Sequence, residues 1–339
     1  MRVLITGCSR HSKDLIDVLR NNYDNEPVYV VGINCNPDVL LRKGVDACYV
    51  VPRSDSEEYI GVLLAICKKE KIDVILPYIT FELEIMARNK YFFENEGIKV
   101  SVSSLESLKL VNDKVQLAKM YPYLMPKQTV AKKIEDVMEF ANNIDYPHKK
   151  FCCKLPNRCG GVGFAVIDEE KGRDITLFNK FGVNRYITLA MLNELLMSYN
   201  DSIILQEYEE GHDYSMCILA DKGKVLYGTG FEATVMSYGS AMNAKVTFNQ
   251  KAYDIARMIT ADSRLDGNAC FDFILKEDGE PVLLEVNPRL SATLPFLAKA
   301  GLNLPYLRCK QILGHDVSDQ KFDINYELRM QKNYETEIF

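Results

Sequence analysis

The sequence predicts an α/β domain over residues 1–103, followed by an α+β region whose C-terminal part is mostly strand. Three observations lead there. The first hundred residues alternate short apolar runs with amphipathic stretches, Asn112-Asp113-Lys114 opens a new helix after them, and residues 203–286 read as successive strands with one helical interruption. Strands that alternate with helices imply a parallel sheet covered on both faces.

In order, strands are expected near residues 3–6, 28–33, 47–51, 73–77 and 98–101, with helices near 12–20, 57–69 and 82–95. The first turn, Thr6-Gly7-Cys8-Ser9-Arg10-His11-Ser12, holds one glycine where a dinucleotide fingerprint needs three, and Asn34 stands where a ribose carboxylate is expected. A nicotinamide-dependent oxidoreductase is therefore disfavoured. A second unit starts after Tyr121-Pro122: strand 128–130, helix 134–142, strand 151–154, a glycine-rich turn, strand 163–167, helix 189–198 and strand 203–208. A helix near 252–261 interrupts the strands that follow, and alternation over 326–330 suggests a closing edge strand.

Composition narrows the class. Of 339 residues, 47% are apolar and 26% charged, an ordinary globular balance, and the net charge of -6 argues against a nucleic-acid partner. No apolar run is long enough to cross a bilayer, and the first residues read as a strand rather than as a secretory leader. The ten cysteines sit mostly in apolar stretches without CxxC spacing, which points to reduced thiols, a cytoplasmic location and no zinc site.

The most informative segment is Gly267 to Asn287. Asp278-Gly279 is a hairpin signal between two apolar runs. A two-residue turn there sets Asp272 opposite Glu285, with Asn287 on the same face, Cys270 opposite Asn287 and Ile274 opposite Leu283. Phe271 opposite Val286 and Phe273 opposite Leu284 make the other face apolar. Facing carboxylates about 4.5–5.5 Å apart at Cβ repel each other, and burial between apolar flanks worsens the repulsion unless a proton or a cation neutralises it. Mg²⁺ takes oxygen ligands, commonly one or two carboxylates together with phosphates and water. Asp272, Glu285 and Asn287 are thus the candidate metal ligands, and Arg289 is placed to reach an anion beside them.

Basic and glycine residues supply a phosphate side. Lys154 ends a strand and precedes Asn157-Arg158-Cys159-Gly160-Gly161-Val162-Gly163, in which glycines let backbone N–H groups approach phosphate oxygens. No Gly-Lys-Ser/Thr follows, so this is not a Walker loop. Lys114 is a second cation at a helix start. The segment Leu205 to Ser215 joins two strand-like runs and offers Asp213 as a carboxylate able to accept two ribose hydroxyls.

Taken in order, these segments resemble the ATP-grasp superfamily, in particular the synthetase domains of the carbamoyl-phosphate synthase large chain and its stand-alone relatives. The resemblance implies a parallel α/β pre-grasp domain (residues 1–103), a linker helix and small lobe with a Gly-rich lid (104–202), and a large lobe carrying the metal site (203–339). It implies ATP contacts from Lys114, Lys154, Gly160, Gly161, Gly163, the hinge residues Glu207 and Tyr208, and Asp213. Mg²⁺ (or Mn²⁺) is expected on Asp272, Glu285 and Asn287, and Arg289 and Lys154 are expected to serve catalysis.

Two places depart from the family pattern: Asn157-Arg158-Cys159 in the lid, and Thr80 where relatives often have aspartate, with Glu82 nearby. The implied activity is ATP-dependent joining of a carboxylate to an amine or other nucleophile through an acyl phosphate. The rival from another class is a nucleotide-binding sensor or partner subunit without turnover. Substrate contacts are expected from residues 228–243, including Glu232, Ser237 and Tyr238, and apolar helices of the first domain leave room for a homodimer.

Overall fold

The computed structural model describes residues 1–155, 163–174, 186–237 and 240–333. Gly160 and Gly161 of the glycine-rich turn, with Asn157, Arg158 and Cys159, and also Tyr238, lie outside the described residues.

The N-terminal unit is a five-stranded sheet of β1 (Arg2–Ile5), β2 (Tyr29–Asn34), β3 (Ala47–Val50), β4 (Val74–Leu76) and β5 (Lys99–Val100), in the order β3-β2-β1-β4-β5 and wholly parallel. Helix α1 (Lys13–Arg20) covers one face; α2 (Tyr59–Glu70) and α3 (Leu83–Glu94) cover the other. Leu4, Val31, Ile33 and Ile75 pack on Leu63, Met86 and Phe93, whereas Val3, Ile5, Val30 and Leu76 pack on Leu15, Ile16 and Leu19. Residues alternate between two apolar faces, which is why the strands read as nearly continuous apolar runs. The strand order reverses between β1 and β4, so the loops after them, Thr6–Gly7 and Tyr78–Thr80, line a crevice at the sheet's C-terminal edge.

Two short helices connect this unit to the next. Ser104 caps α4 (Leu105–Val111) through the Ser107 amide, and Asp113 caps α5 (Lys114–Met120) by accepting from the Val115 and Gln116 amides at 2.8 and 3.1 Å. The second sheet orders β6 (Gln128–Ala131), β7 (Phe151–Lys154), β8 (Ala165–Ile167), β9 (Tyr186–Ile187) and β10 (Ile203–Glu207) as β6-β10-β7-β8-β9. One of its faces is closed by α6 (Ile134–Asn143) and α7 (Leu189–Ser198), which bury Phe151, Cys153, Ile203 and Leu205. The alternate residues Cys152, Lys154, Ile204 and Gln206 therefore look toward the third sheet. Strand β8 begins at Ala165, not at 163, because Gly163 occupies a turn with φ +74.

The third sheet is six-stranded and antiparallel, ordered β15-β14-β11-β12-β13-β16, from β11 (His212–Asp221), β12 (Lys224–Ser237), β13 (Ser240–Thr247), β14 (Gly267–Leu275), β15 (Pro281–Asn287) and β16 (Arg329–Gln331). Its outer face carries Tyr214, Met216, Phe271, Phe273, Leu283 and Val286 against α4, α5 and α8 (Gln250–Ser263). Its inner face shares one core with α1, α9 (Leu294–Lys299) and α10 (Leu304–Ile312). That shared core seats the first unit beside β14 and β15.

Several sequence expectations are corrected. Of the segment expected to contact substrate, residues 228–237 and 240–243 belong to the paired strands β12 and β13, and Glu232 pairs in register with Tyr214, on the face away from Asp272. The edge strand lies at 329–331 rather than 326–330. Helices α9 and α10 were not anticipated, because both are buried on most sides and so lack an amphipathic period; α10 buries even Arg308.

A candidate metal–nucleotide site on a bulged hairpin

The β14–β15 hairpin brings the two carboxylates together, though not by the turn expected. Lys276 N–H donates to the Glu280 carbonyl and Gly279 adopts φ +81, so the connection is a three-residue loop, 277–279, rather than the two-residue turn Asp278-Gly279. Taken alone, this would shift the register by one and put Asp272 on the wrong partner. A bulge between Asp272 and Phe273 restores it: Phe273 faces Leu283, Asp272 faces Glu285 and Leu284 is the extra residue. Cys270 opposite Asn287 and Phe271 opposite Val286 stand as expected, whereas Phe273 does not face Leu284 and Ile274 faces Val282, not Leu283.

On the inner face, Asn287 Nδ2 donates to Asp272 Oδ2 at 2.8 Å and to Glu285 Oε1 at 3.1 Å. Ser215, from β11, donates to Asp272 Oδ1 at 2.6 Å. Lys114, the first residue of α5, places Nζ 2.6 Å from Glu285 Oε2. These contacts split the acidity of the pair. Burial, with Glu285 adding to it, raises the Asp272 pKa to about 6 against the Ser215 and Asn287 hydrogen bonds. Burial also opposes charge on Glu285, but the Lys114 ammonium more than offsets it and holds that carboxyl down at about 2.

Lys154 reaches the same place from the second sheet. Its Nζ donates to Gln206 Oε1 at 2.6 Å, and burial pushes its pKa down while the neighbouring Lys114 acts the same way. Arg289 Nε donates to Thr80 Oγ1 at 2.9 Å and its Nη1 to the Leu290 carbonyl at 2.8 Å, so the guanidinium spans from the hairpin end to the crevice of the first sheet. Glu82 is buried, and burial keeps its carboxyl above the ordinary range although Thr6 and Tyr59 act to lower it.

The residues expected at the hinge are partly committed. Glu207 accepts from Lys149 Nζ at 2.6 Å, and the Glu207 and Tyr208 amides donate to the Lys127 and Lys150 carbonyls at 2.8 and 2.9 Å. Asp213 is exposed and, by register, shares the inner face with Ser215 and Asp272. Gly163 sits where an added Cβ would lie 2.5 Å from the Leu155 side chain. The structure thus brings Lys114, Lys154, Asp272, Glu285, Asn287 and Arg289 near one another.

Sequence reasoning passed over Ser215 and the Gln128–Gln206 pair. Alternation from Asp213 points to Ser215, and a buried glutamine in the apolar run Ile203–Glu207 is itself a signal.

The donor set suits a hard divalent cation: two carboxylates that repel each other and an amide whose two-fold flip exchanges Nδ2 for Oδ1. Three protein oxygens leave the rest of a shell for phosphate and water.

Residues 3–101 match the family model "PylC-like, N-terminal domain", and residues 200–336 match "ATP-grasp in the biosynthetic pathway with Ter operon". Carbamoyl phosphate synthase large chain from Archaeoglobus fulgidus is 23% identical over 307 residues, covering 86% of this chain and 26% of that protein. The same protein from Methanobrevibacter smithii is 24% identical over 316 residues, covering 89% and 28%. The chain thus spans between a quarter and a third of these relatives.

Among solved structures, a β-γ-ATP complex of biotin carboxylase from Campylobacter jejuni superposes with a TM-score of 0.64 at 17% identity, covering 96% of this chain and 73% of that one. The ADP complex of an N5-carboxyaminoimidazole ribonucleotide synthetase gives 0.67 at 12% identity, covering 97% and 80%. The biotin carboxylase domain of the Hydrogenobacter thermophilus 2-oxoglutarate carboxylase, solved with MgADP and bicarbonate, gives 0.67 at 17%, covering 97% and 73%.

Proposed function

We propose that this chain, which belongs to the ATP-grasp superfamily and is carbamoyl-phosphate-synthase-like, is an ATP- and Mg²⁺-dependent ligase joining a small-molecule carboxylate to an amine or other nucleophile. The observation that carries the proposal is the convergence of Lys114, from the linker helix, and Lys154, from the second sheet, on the Asp272–Glu285–Asn287 face of the third. On this reading residues 1–103 form the pre-grasp domain, 104–202 the linker and small lobe, and 203–339 the large lobe.

Asp272, Glu285 and Asn287 would hold Mg²⁺ (or Mn²⁺), which when bound screens the β- and γ-phosphate charge. Lys114 and Lys154 would neutralise the remaining phosphate oxygens, with the Gly160, Gly161 and Gly163 segment closing over them. Glu207 and Tyr208 would border the adenine and Asp213 the ribose. A substrate carboxylate oxygen attacks the γ-phosphorus, the bond from that phosphorus to the β,γ-bridging oxygen breaks, and ADP leaves with the electron pair. The nucleophile then adds to the acyl carbon and expels phosphate. Positioning and electrostatics dominate such a transfer, so no side-chain base is required for the first step. Arg289, held by Thr80 at the crevice of the first sheet, would orient the carboxylate and steady the acyl phosphate.

ADP release in the presence of a carboxylate and amine pool tests the proposal. Release that depends on both substrates and vanishes in Glu285→Ala supports it. ATP binding without substrate-dependent turnover refutes it in favour of a nucleotide-binding module.

A further inference from the structure

We infer that Gln206 is a neutral positioning residue for Lys154, locked by Gln128, and that together they form a side-chain relay tying the two phosphate-side lysines to each other. The inference rests on the reading of Lys154 as a phosphate ligand.

The relay follows from the sheet register. Gln128 on β6 lies directly across from Gln206 on β10, and Lys154 on β7 lies across from Ile204, one diagonal step away on the same face. Lys154 Nζ donates to Gln206 Oε1 at 2.6 Å, Gln206 Nε2 donates to Gln128 Oε1 at 3.1 Å, and Gln128 Nε2 donates to the Lys114 carbonyl at 2.8 Å. The polarity of this chain is fixed at both ends. An ammonium only donates and a backbone carbonyl only accepts, so each amide is held in one of its two orientations.

The consequence is electrostatic. Gln206 is buried and gives Lys154 an acceptor that fixes its direction without neutralising it. A carboxylate at this position would hold the lysine as well but cancel its charge and compete with phosphate. An apolar residue would leave the charge but release the side chain. A neutral acceptor, oriented from the second lysine's own backbone, satisfies both demands.

The test measures affinity for Mg-ATP and for adenosine in wild type, Gln206→Glu, Gln206→Met, Gln128→Leu and Lys154→Met. Adenosine carries no phosphate, so its affinity reports an intact hinge. The relay requires Gln206→Glu to weaken Mg-ATP tenfold or more, the scale of one charge-assisted hydrogen bond, with adenosine affinity unchanged. Gln206→Met and Gln128→Leu should weaken Mg-ATP by smaller factors in the same selective way. Equal weakening of both ligands in Gln206→Glu marks a structural role and overturns the inference. So does wild-type Mg-ATP affinity in that variant while Lys154→Met weakens it. If Lys154→Met binds Mg-ATP as wild type does, the phosphate reading of Lys154 has failed, and the relay falls with it for that separate reason.

Discussion

Without a metal, Glu285 is already taken: Lys114 Nζ lies 2.6 Å from its carboxylate. On the proposed reading a cation and that ammonium share one carboxylate, and the Glu285→Gln variant separates the two roles. At an effective dielectric of about 20, two unit charges at this distance attract by roughly 6 kcal/mol before desolvation. Truncating one partner of such a hydrogen-bonded pair costs about 2–5 kcal/mol. On the proposed reading, Glu285→Gln takes a charged ligand from the metal and frees Lys114 for phosphate, so its two effects on ATP binding have opposite signs.

Titration calorimetry with ATP, once in excess Mg²⁺ and once with chelator, reads both. Mg²⁺ should tighten ATP binding to the wild type by about thirtyfold or more, the equivalent of 2 kcal/mol, and tighten it only slightly in the variant. The metal-free affinity of the variant should equal or exceed that of the wild type. A variant that keeps the full Mg²⁺-dependent tightening refutes the assignment of Glu285 as a metal ligand.

Other outcomes follow from the same geometry. Because the folded Asp272 pKa is raised, to about 6 from an ordinary 3.8, its neutral form stabilises the fold at low pH, and that contribution is lost as pH rises through about 6. The stability of metal-free wild type relative to Asp272→Asn should therefore fall as pH rises from about 4 to 7 and then level off; parallel denaturant profiles would contradict the buried-pair account. Arg308 is buried, with Nη1 and Nη2 at 3.1 and 2.9 Å from the two Asp266 oxygens and Nε 3.0 Å from Ser101 Oγ. Asp266→Asn, which strands this guanidinium, should cost about 3–5 kcal/mol and lower the melting temperature on the order of 5–10 °C by calorimetry. The gap to wild type should narrow only below about pH 4, because Arg308 holds the Asp266 carboxyl low despite its burial. Gly230→Ala would put a Cβ 2.1 Å from the Tyr214 hydroxyl, which accepts from the Asn249 amide at the cap of α8, and should cost about 1–3 kcal/mol in urea unfolding.

Much of the candidate site was legible in the sequence because its key signals are local. Strand period two places Asp272, Glu285 and Asn287 on one face and Phe271, Phe273 and Val286 on the other, whichever elements pack against them. The turn was misjudged by one residue, yet the facing of Asp272 and Glu285 was right, because the bulge at Leu284 compensates for the longer loop. A bulge has no strong local signature, so only the paired strands reveal it.

What the sequence by itself determined was therefore the class of the first sheet, the two faces of the hairpin and the identity of its acidic residues. The tertiary structure alone decided who meets them. Lys114 reaches Glu285, Gln128 reaches Gln206, and Arg289 reaches Thr80 across 209 residues of chain. Those meetings depend on the strand orders β6-β10-β7 and β15-β14-β11 and on how α9 and α10 seat the first sheet against the third. Hydrophobic periodicity fixes which way a side chain points from its own strand, but sheet order and domain packing are set by burial summed over the whole chain, which no single segment records.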